Sequence, residues 1–392
     1  MRAKIISKNF LRKMTCFAFV MLFTLCGTAL SPLEVYALSE DEISAPSAVL
    51  MESETGEVLF EKNPHDIRPC ASITKVMTLI LVFEAIDANK FTYDDMAVAS
   101  AHAASMGGSD IWLEEGESMS VHDLIKSVVV ASANDSAVVL AELVSGTEDE
   151  FVAKMNEKAK VLGMNDTTFK NCNGLDEEGH LTSAYDVALM SAELMKHEKI
   201  FEYSSIWLDN LRGGATQIVN TNKLLKTYKG ITGLKTGTTS GAGSCMSATA
   251  TRDNLSLVAV VLGCDTGTGR FKDAATLLDY GFANYKVETL TVPAEYLMPI
   301  SVKGGMESEV SVSCEPSLNV LLPKGNTEEL ECKANLPEEL TAPVEKGVKI
   351  GTITYLNQGA TVDELEVFTA SESHKMSFGE IFAVLLSKII SL

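Results

Sequence analysis

The chain has 392 residues and a hydrophobic fraction of 46%, the composition of a globular protein large enough for two or more domains and a sizeable core. Its formal net charge of −21 argues against nucleic acid as a partner and against general electrostatic adhesion to anionic lipid.

At the N-terminus, Arg2, Lys4, Lys8, Arg12 and Lys13 precede the apolar run MTCFAFVMLFTLCGTAL, and VYA at Val35 to Ala37 offers small side chains at cleavage positions. The pattern predicts an export signal over residues 1–37. The alternative is an uncleaved anchor, although the run is somewhat short for a span of about 20 residues. Cleavage takes away five basic residues and Glu34, moving the charge to −25, and leaves six of the eight cysteines. In an exported protein these can pair. Cys314 and Cys332, at the ends of a short segment, are the plausible pair, with free buried thiols as the alternative.

SAVLMESETGEVLFEK alternates apolar and polar residues on both sides of Glu54, Thr55 and Gly56, which predicts a β-hairpin. SITKVMTLILVFEAI and SVHDLIKSVVVASANDSAVVLAELVSG carry helical spacing, the second with a break near Ser132. SAYDVALMSAELMKH predicts a further helix, capped by Thr182 or Ser183 with Asp186 following. SCMSATATRDNLSLVAVVLGC reads as two strands joined at Arg252, Asp253 and Asn254, and TLLDYGFANY resumes as helix. Strands flanking a helical middle suggest one α/β unit with an antiparallel sheet, over 38–289. From about Leu290 to 370, short β-prone runs separated by Gly, Pro, Asn and Glu predict a small all-β, sandwich-like domain.

A linker and a C-terminal helix occupy 371–392. On a helix Ser377, Glu380, Ser387, Lys388 and Ser391 share one arc with Val384, and Phe378, Ile381, Phe382, Leu385, Leu386, Ile389, Ile390 and Leu392 lie opposite. This predicts a helix lying on a membrane surface. A helix packed on its own β domain, or a dimer seam, is the alternative.

Three motifs fall in order within the α/β unit: Ser72-Ile73-Thr74-Lys75, Ser132-Ala133-Asn134 and Lys235-Thr236-Gly237. Random composition gives only about 0.1 Lys-Thr-Gly triplets in such a chain. Residues i and i+3 of a helix share a face, so a helix starting near Ser72 brings its hydroxyl and the Lys75 amine together. A serine hydroxyl is a poor nucleophile until a base takes its proton. Lys75 can serve if its pKa is lowered, which burial against VMTLIL and the Lys235 cation would both do.

Together the motifs resemble the serine penicillin-binding enzymes and β-lactamases. GGSDIWLEEGESMSVHDLIKSVVVASANDSAVVLAE, NGLDEEGHLTSAYDVALMSAELMKH and GLKTGTTSGAGSC look more narrowly like the D-alanyl-D-alanine carboxypeptidases, the low-molecular-mass penicillin-binding proteins of serine peptidase family S11. The resemblance implies a β-lactamase-like α/β (α+β) catalytic domain with an antiparallel sheet flanked by helices, followed by the small all-β domain. It implies an exported enzyme at the outer face of the bacterial cytoplasmic membrane. Such an enzyme trims the terminal D-alanine from peptidoglycan stem peptides through an acyl-serine and is acylated by β-lactam antibiotics.

By the same resemblance Ser72 is the nucleophile, Lys75 its base and Ser132 a proton relay to the leaving amine. Asn134 holds Lys75 and the substrate amide. Lys235 and Thr236 attract the substrate carboxylate from an edge strand, and Gly237 leaves room for the peptide. The N–H groups of Ser72 and Thr238 form an oxyanion hole, and Arg270 helps hold the carboxylate, unless it only solvates a helix start. Cys70 and Ala133 depart from the family pattern, Cys70 as a thiol that could make the site sensitive to oxidation.

A β-lactamase also needs a carboxylate to activate water, and no Glu-x-x-x-Asn stretch lies between Asn134 and Lys235. A non-catalytic, penicillin-acylated receptor is the other alternative. His65, His102, His122, His180, His197 and His374 show no metal-ligand spacing, and Gly267 and Gly269 lack the spacing of a dinucleotide site. No cofactor or metal is implied.

Overall fold

The computed structural model describes residues 37–325, 330–357 and 359–390, so the expected signal segment up to Tyr36, and Ser391 and Leu392 of the C-terminal helix, lie outside the described residues. Met1–Ala37 and Leu38–Leu392 separate as two units, and the description below concerns the second.

Strands β1 (Ser47–Glu52) and β2 (Val58–Lys62) form the expected hairpin. Every residue of β1 is buried, because β1 is an inner strand covered on both faces rather than a half-exposed one. A short pair, β3 (Met96–Val98) with β4 (Ser118–Ser120), and a second hairpin, β5 (Leu208–Leu211) with β6 (Thr216–Val219), lie outside the main sheet. β7 (Ile231–Thr239), β8 (Gly243–Arg252) and β9 (Leu255–Cys264) complete an antiparallel five-stranded sheet in the order β2-β1-β9-β8-β7. Asp253 and Asn254 turn between β8 and β9 with positive φ, a conformation that Asn and Asp tolerate. β7 is an edge strand, open along one side.

Helices α1 (Lys75–Asp87), α2 (Val121–Val130), α3 (Asn134–Ser145), α4 (Glu148–Val161) and α5 (Ala184–Met195) gather on one face of the sheet. α1 is apolar nearly all round and is buried on all sides, with Val76, Met77, Ile80 and Val82 inaccessible to solvent. The Ser183 hydroxyl caps α5 by accepting from Asp186 N, as the sequence predicts. α6 (Gly267–Asn284) covers the opposite face, its Ala274, Leu277 and Leu278 packing on Leu50, Leu257 and Val261. This helix starts well before the TLLDYGFANY stretch read from sequence.

β10 (Tyr285–Thr291) follows α6 directly, starting before the expected Leu290, and pairs with β14 (Ser317–Pro323). β11 (Ile300–Lys303) lies between β12 (Glu309–Val310) and β16 (Glu339–Thr341). β13 (Val312–Ser313), β18 (Ala360–Thr369), β17 (Lys349–Asn357) and β15 (Glu331–Asn335) make a four-stranded sheet in that order, over a small core around Ile353, Tyr355 and Val367. Cys314 and Cys332 are free thiols, not the disulfide considered from sequence. Cys332 is in β15 and Cys314 directly follows β13, strands at opposite edges of this sheet with β18 and β17 between them.

The chain is held by backbone pairing up to Met376, whose N–H donates to Gly304 O, and Ser377 then leads into α7 (Phe378–Ile390). The apolar side chains of α7 stay exposed, from Val384 at 39% to Phe378 at 86%, so they do not pack on the β domain. No helix among the described residues is long and apolar enough to cross a membrane.

Candidate active site

Ala71–Thr74 form a 3₁₀ turn that runs into α1 at Lys75. In a 3₁₀ turn residues i and i+3 eclipse, which aligns Ser72 with Lys75 more closely than the α-helix expected from sequence. Lys75 Nζ lies 3.1 Å from Ser72 Oγ. His180 braces the turn. Its Nδ1 accepts from Lys170 N, so its Nε2–H donates to Thr74 Oγ1 at 2.7 Å, and burial keeps the ring neutral with a pKa lowered to about 4.

Lys75 is completely buried, and its Nζ also meets Asn134 Oδ1 at 2.6 Å and Asn173 O at 2.5 Å. Burial lowers its pKa to about 7. The Lys235 cation expected to share in this is itself held well below its ordinary value, first by burial and then by Lys75 and Arg270.

The break in the second helical stretch separates α2 from α3. Ser132 takes φ +64 there, an uncommon conformation for a residue with a side chain. Its hydroxyl accepts from Lys235 Nζ at 2.9 Å. Ala133 sits at φ −61 and ψ 121, which any residue adopts, so the departure from glycine has no backbone cost. Asn134 opens α3 and spans the site, accepting from Lys75 and donating through Nδ2 to Gly107 O at 2.6 Å.

The edge strand β7 supplies the third motif. Lys235 Nζ donates to Thr236 O as well as to Ser132, and Thr236 Oγ1 donates to Thr221 Oγ1 at 2.6 Å. A Cβ on Gly237 would stand 2.5 Å from Cys70 O and 3.0 Å from Ser72 N, so only glycine lets the strand approach Ser72 this closely. Thr238 follows on the same strand. Arg270, in the first turn of α6, reaches back to it: Nη1 donates to Thr238 Oγ1 at 2.7 Å and Gly237 O at 2.8 Å. It therefore joins the third motif rather than merely solvating its helix.

All nine residues named from sequence thus meet in one constellation. The oxidation expected at Cys70 does not fit its surroundings. The thiol is inaccessible and burial pushes its pKa up to about 12, which removes the thiolate that oxidants attack.

Sequence reasoning missed Asn173, which acts through its main-chain carbonyl, and Gly174, whose φ is +86 and whose added Cβ would meet Ala71 O at 2.0 Å. The Asn-Gly pair in NCNGLDEEGH was the available signal. It also missed Asp135, a buried carboxylate whose Oδ2 accepts from Ile111 N and Leu113 N.

Two family models cover most of the chain: D-alanyl-D-alanine carboxypeptidase over residues 34–266, and the C-terminal domain of penicillin-binding protein 5 over 285–375. D-alanyl-D-alanine carboxypeptidase DacF of Bacillus subtilis is 38% identical over 92% of this chain and 93% of its own length. Penicillin-binding protein 5 from Haemophilus influenzae superposes with a TM-score of 0.76 at 29% identity, covering 86% of this chain and 100% of that one. Penicillin-binding protein D2 from Listeria monocytogenes, solved in an ampicillin-bound form, does so with a TM-score of 0.57 at 34% identity over 61% and 98%. With both domains matched and three motifs converging at one serine, the chain belongs to the D-alanyl-D-alanine carboxypeptidase family of serine peptidases, S11.

Proposed function

We propose that the chain is a serine-type D-Ala-D-Ala carboxypeptidase that removes the terminal D-alanine of peptidoglycan stem peptides and is acylated by β-lactams. The observation that carries this reading is the contact between Ser72 Oγ and a buried lysine whose pKa lies near neutrality.

A neutral amine has two protons and one lone pair. Lys75 gives its protons to Asn134 Oδ1 and Asn173 O, which leaves the lone pair for the Ser72 hydroxyl. Ser72 Oγ attacks the carbonyl carbon of the penultimate D-alanine as its proton passes to Lys75. The oxyanion is held by the N–H groups of Ser72 and Thr238, on backbones that Gly237 allows to meet. The C–N bond then breaks, and the leaving amine takes a proton through Ser132, which Lys235 orients. Water, deprotonated by Lys75, cleaves the ester and restores Ser72. Lys235, Thr236 and Arg270 favour the terminal carboxylate, while the open edge of β7 pairs with the peptide backbone. Asn134 holds Lys75 and the substrate amide.

The exposed apolar face of α7 supports membrane association, and the basic-then-apolar N-terminus supports export to the outer face of the membrane. Labelled penicillin and D-alanine release test the site together. Wild type should take up label and release D-alanine, and Ser72→Ala should do neither. Label that survives the substitution refutes the assignment.

A further inference from the structure

Trp112 is 77% exposed and takes φ +55, a conformation that bulky side chains avoid. Its backbone is fixed on both sides. Asp135 Oδ2 accepts from the flanking Ile111 N and Leu113 N, each at 3.0 Å. From the opposite side the Arg212 guanidinium, paired with Glu117, donates to Ile111 O at 2.9 Å and Trp112 O at 3.4 Å. The exposed ring is thus mounted on a loop whose backbone is held from both sides. The same loop belongs to the active site. Gly107 O and Ser109 O accept from Asn134 Nδ2 and N, and three residues further on, at most about 11 Å away, stands Trp112.

Beside the ring lies an open cavity of about 460 Å³ between this loop and the β5–β6 hairpin. Trp112, Glu114, Arg212, Thr216 and Gln217 line it, so an aromatic residue shares the cavity with hydrogen-bond donors and acceptors. Beyond β6 the chain passes through Thr221, which bonds to Thr236, so both walls of the cavity lead back to the catalytic motifs. A pyranose ring has the complementary character: a C–H face that stacks on an aromatic ring, and a rim of hydroxyl and acetamido groups. The substrate of the proposed reaction carries such rings, since its stem peptide is attached to an amino-sugar polymer. An extended pentapeptide spans at most roughly 17 Å.

We propose that Trp112 and the adjoining cavity form a subsite for an N-acetylated amino sugar of the glycan, through which the enzyme prefers stem peptides still joined to saccharide. This rests on the carboxypeptidase reading. The measure is the ratio of kcat/KM for a disaccharide-linked pentapeptide to that for the free pentapeptide. Wild type favours the linked substrate, and Trp112→Ala lowers the ratio by about tenfold, the scale of one lost aromatic stack. Gln217→Ala, an exposed change outside the loop, lowers it less. Saturation-transfer NMR with the peptide-free disaccharide should show contacts to the sugar C–H face that vanish in Trp112→Ala. A wild-type ratio near one, or a ratio unaffected by either substitution, overturns the subsite, as it would if Trp112 served a protein partner. Sugar contacts in the NMR experiment without D-alanine release would instead overturn the carboxypeptidase reading and leave the sugar site standing.

Discussion

Lys75 meets three oxygens, and only two of them can receive a proton from a neutral amine. The third contact reverses as the lysine titrates. Below its pKa of about 7 the ammonium donates to Ser72 and blocks the nucleophile; above it the lone pair is free. Acylation by penicillin, followed across roughly pH 5 to 9, should therefore climb with a midpoint near 7. A flat profile, or a rise only where free lysine titrates, would exclude Lys75 as the base. The sign for stability follows from the same lowering. Between about 7 and 10.5 the unfolded chain binds a proton that folded Lys75 does not, so this residue's contribution rises with pH across that window. Lys235 has a different task. Lys235→Ala should slow acylation most for ligands that bear the carboxylate and least for those that lack it, and equal losses would remove the distinction. At this scale the sequence was informative where a side chain makes the contact, as at Ser72, Asn134 and Lys235. Asn173 stayed hidden because a carbonyl is common to every residue.

Two segments determine how closely those side chains meet. The 3₁₀ turn Ala71–Thr74 aligns Ser72 with Lys75, and Cys172–Gly174 runs along it, Cys172 O accepting from Thr78 and Asn173 O from Lys75. Gly174→Ala collides with Ala71 O and strains a backbone at φ +86. We expect a loss of about 1–3 kcal/mol in stability. Acylation should slow by up to about a hundredfold as the turn shifts. Gly56→Ala, at φ +74 with nothing within 4 Å, separates the two costs: it should lower the melting temperature without slowing acylation. α1, α2, α3, α5, the β1–β2 hairpin and the β8–β9 turn were legible because periodicity and turn chemistry are local, whereas α4, which buries only Phe151, Met155 and Ala159, was not read. The 3₁₀ turn was not, since it differs from an α-turn only in hydrogen bonds decided by the tertiary contacts of Thr74 with His180 and of Gly237 with Ser72. The β5–β6 hairpin escaped for another reason: LDNLRGGATQIV has no apolar alternation.

For the whole molecule, the change from helical to β-prone texture set an expected boundary near Leu290, whereas α6 passes directly into β10 at Tyr285 with no loop between them. The proposed anchoring is hydrophobic, because the body is acidic and α7 keeps its apolar side chains in solvent. Truncation after Met376 should release the protein from membranes, and high salt should leave the full-length form bound. A truncated protein that still pellets, or a full-length one that washes off, would move the anchor elsewhere.

The pairing that holds the chain up to Met376 leaves Ser377 alone before α7, and the Glu380 carboxylate already engages that residue. Only this one residue separates the paired chain from the helix. With α7 as the proposed anchor and so short a joint, Ser72 should ride above the bilayer surface at a nearly constant height, its working space a thin sheet rather than a sphere swept by a leash. A ten-residue Gly/Ser insertion after Ser377 would add roughly 17 Å of root-mean-square reach. On vesicles bearing pentapeptides at graded heights, the unmodified enzyme should act within one narrow band of spacer lengths, and the insertion should broaden that band. An equally broad range for both would mean that the joint bends.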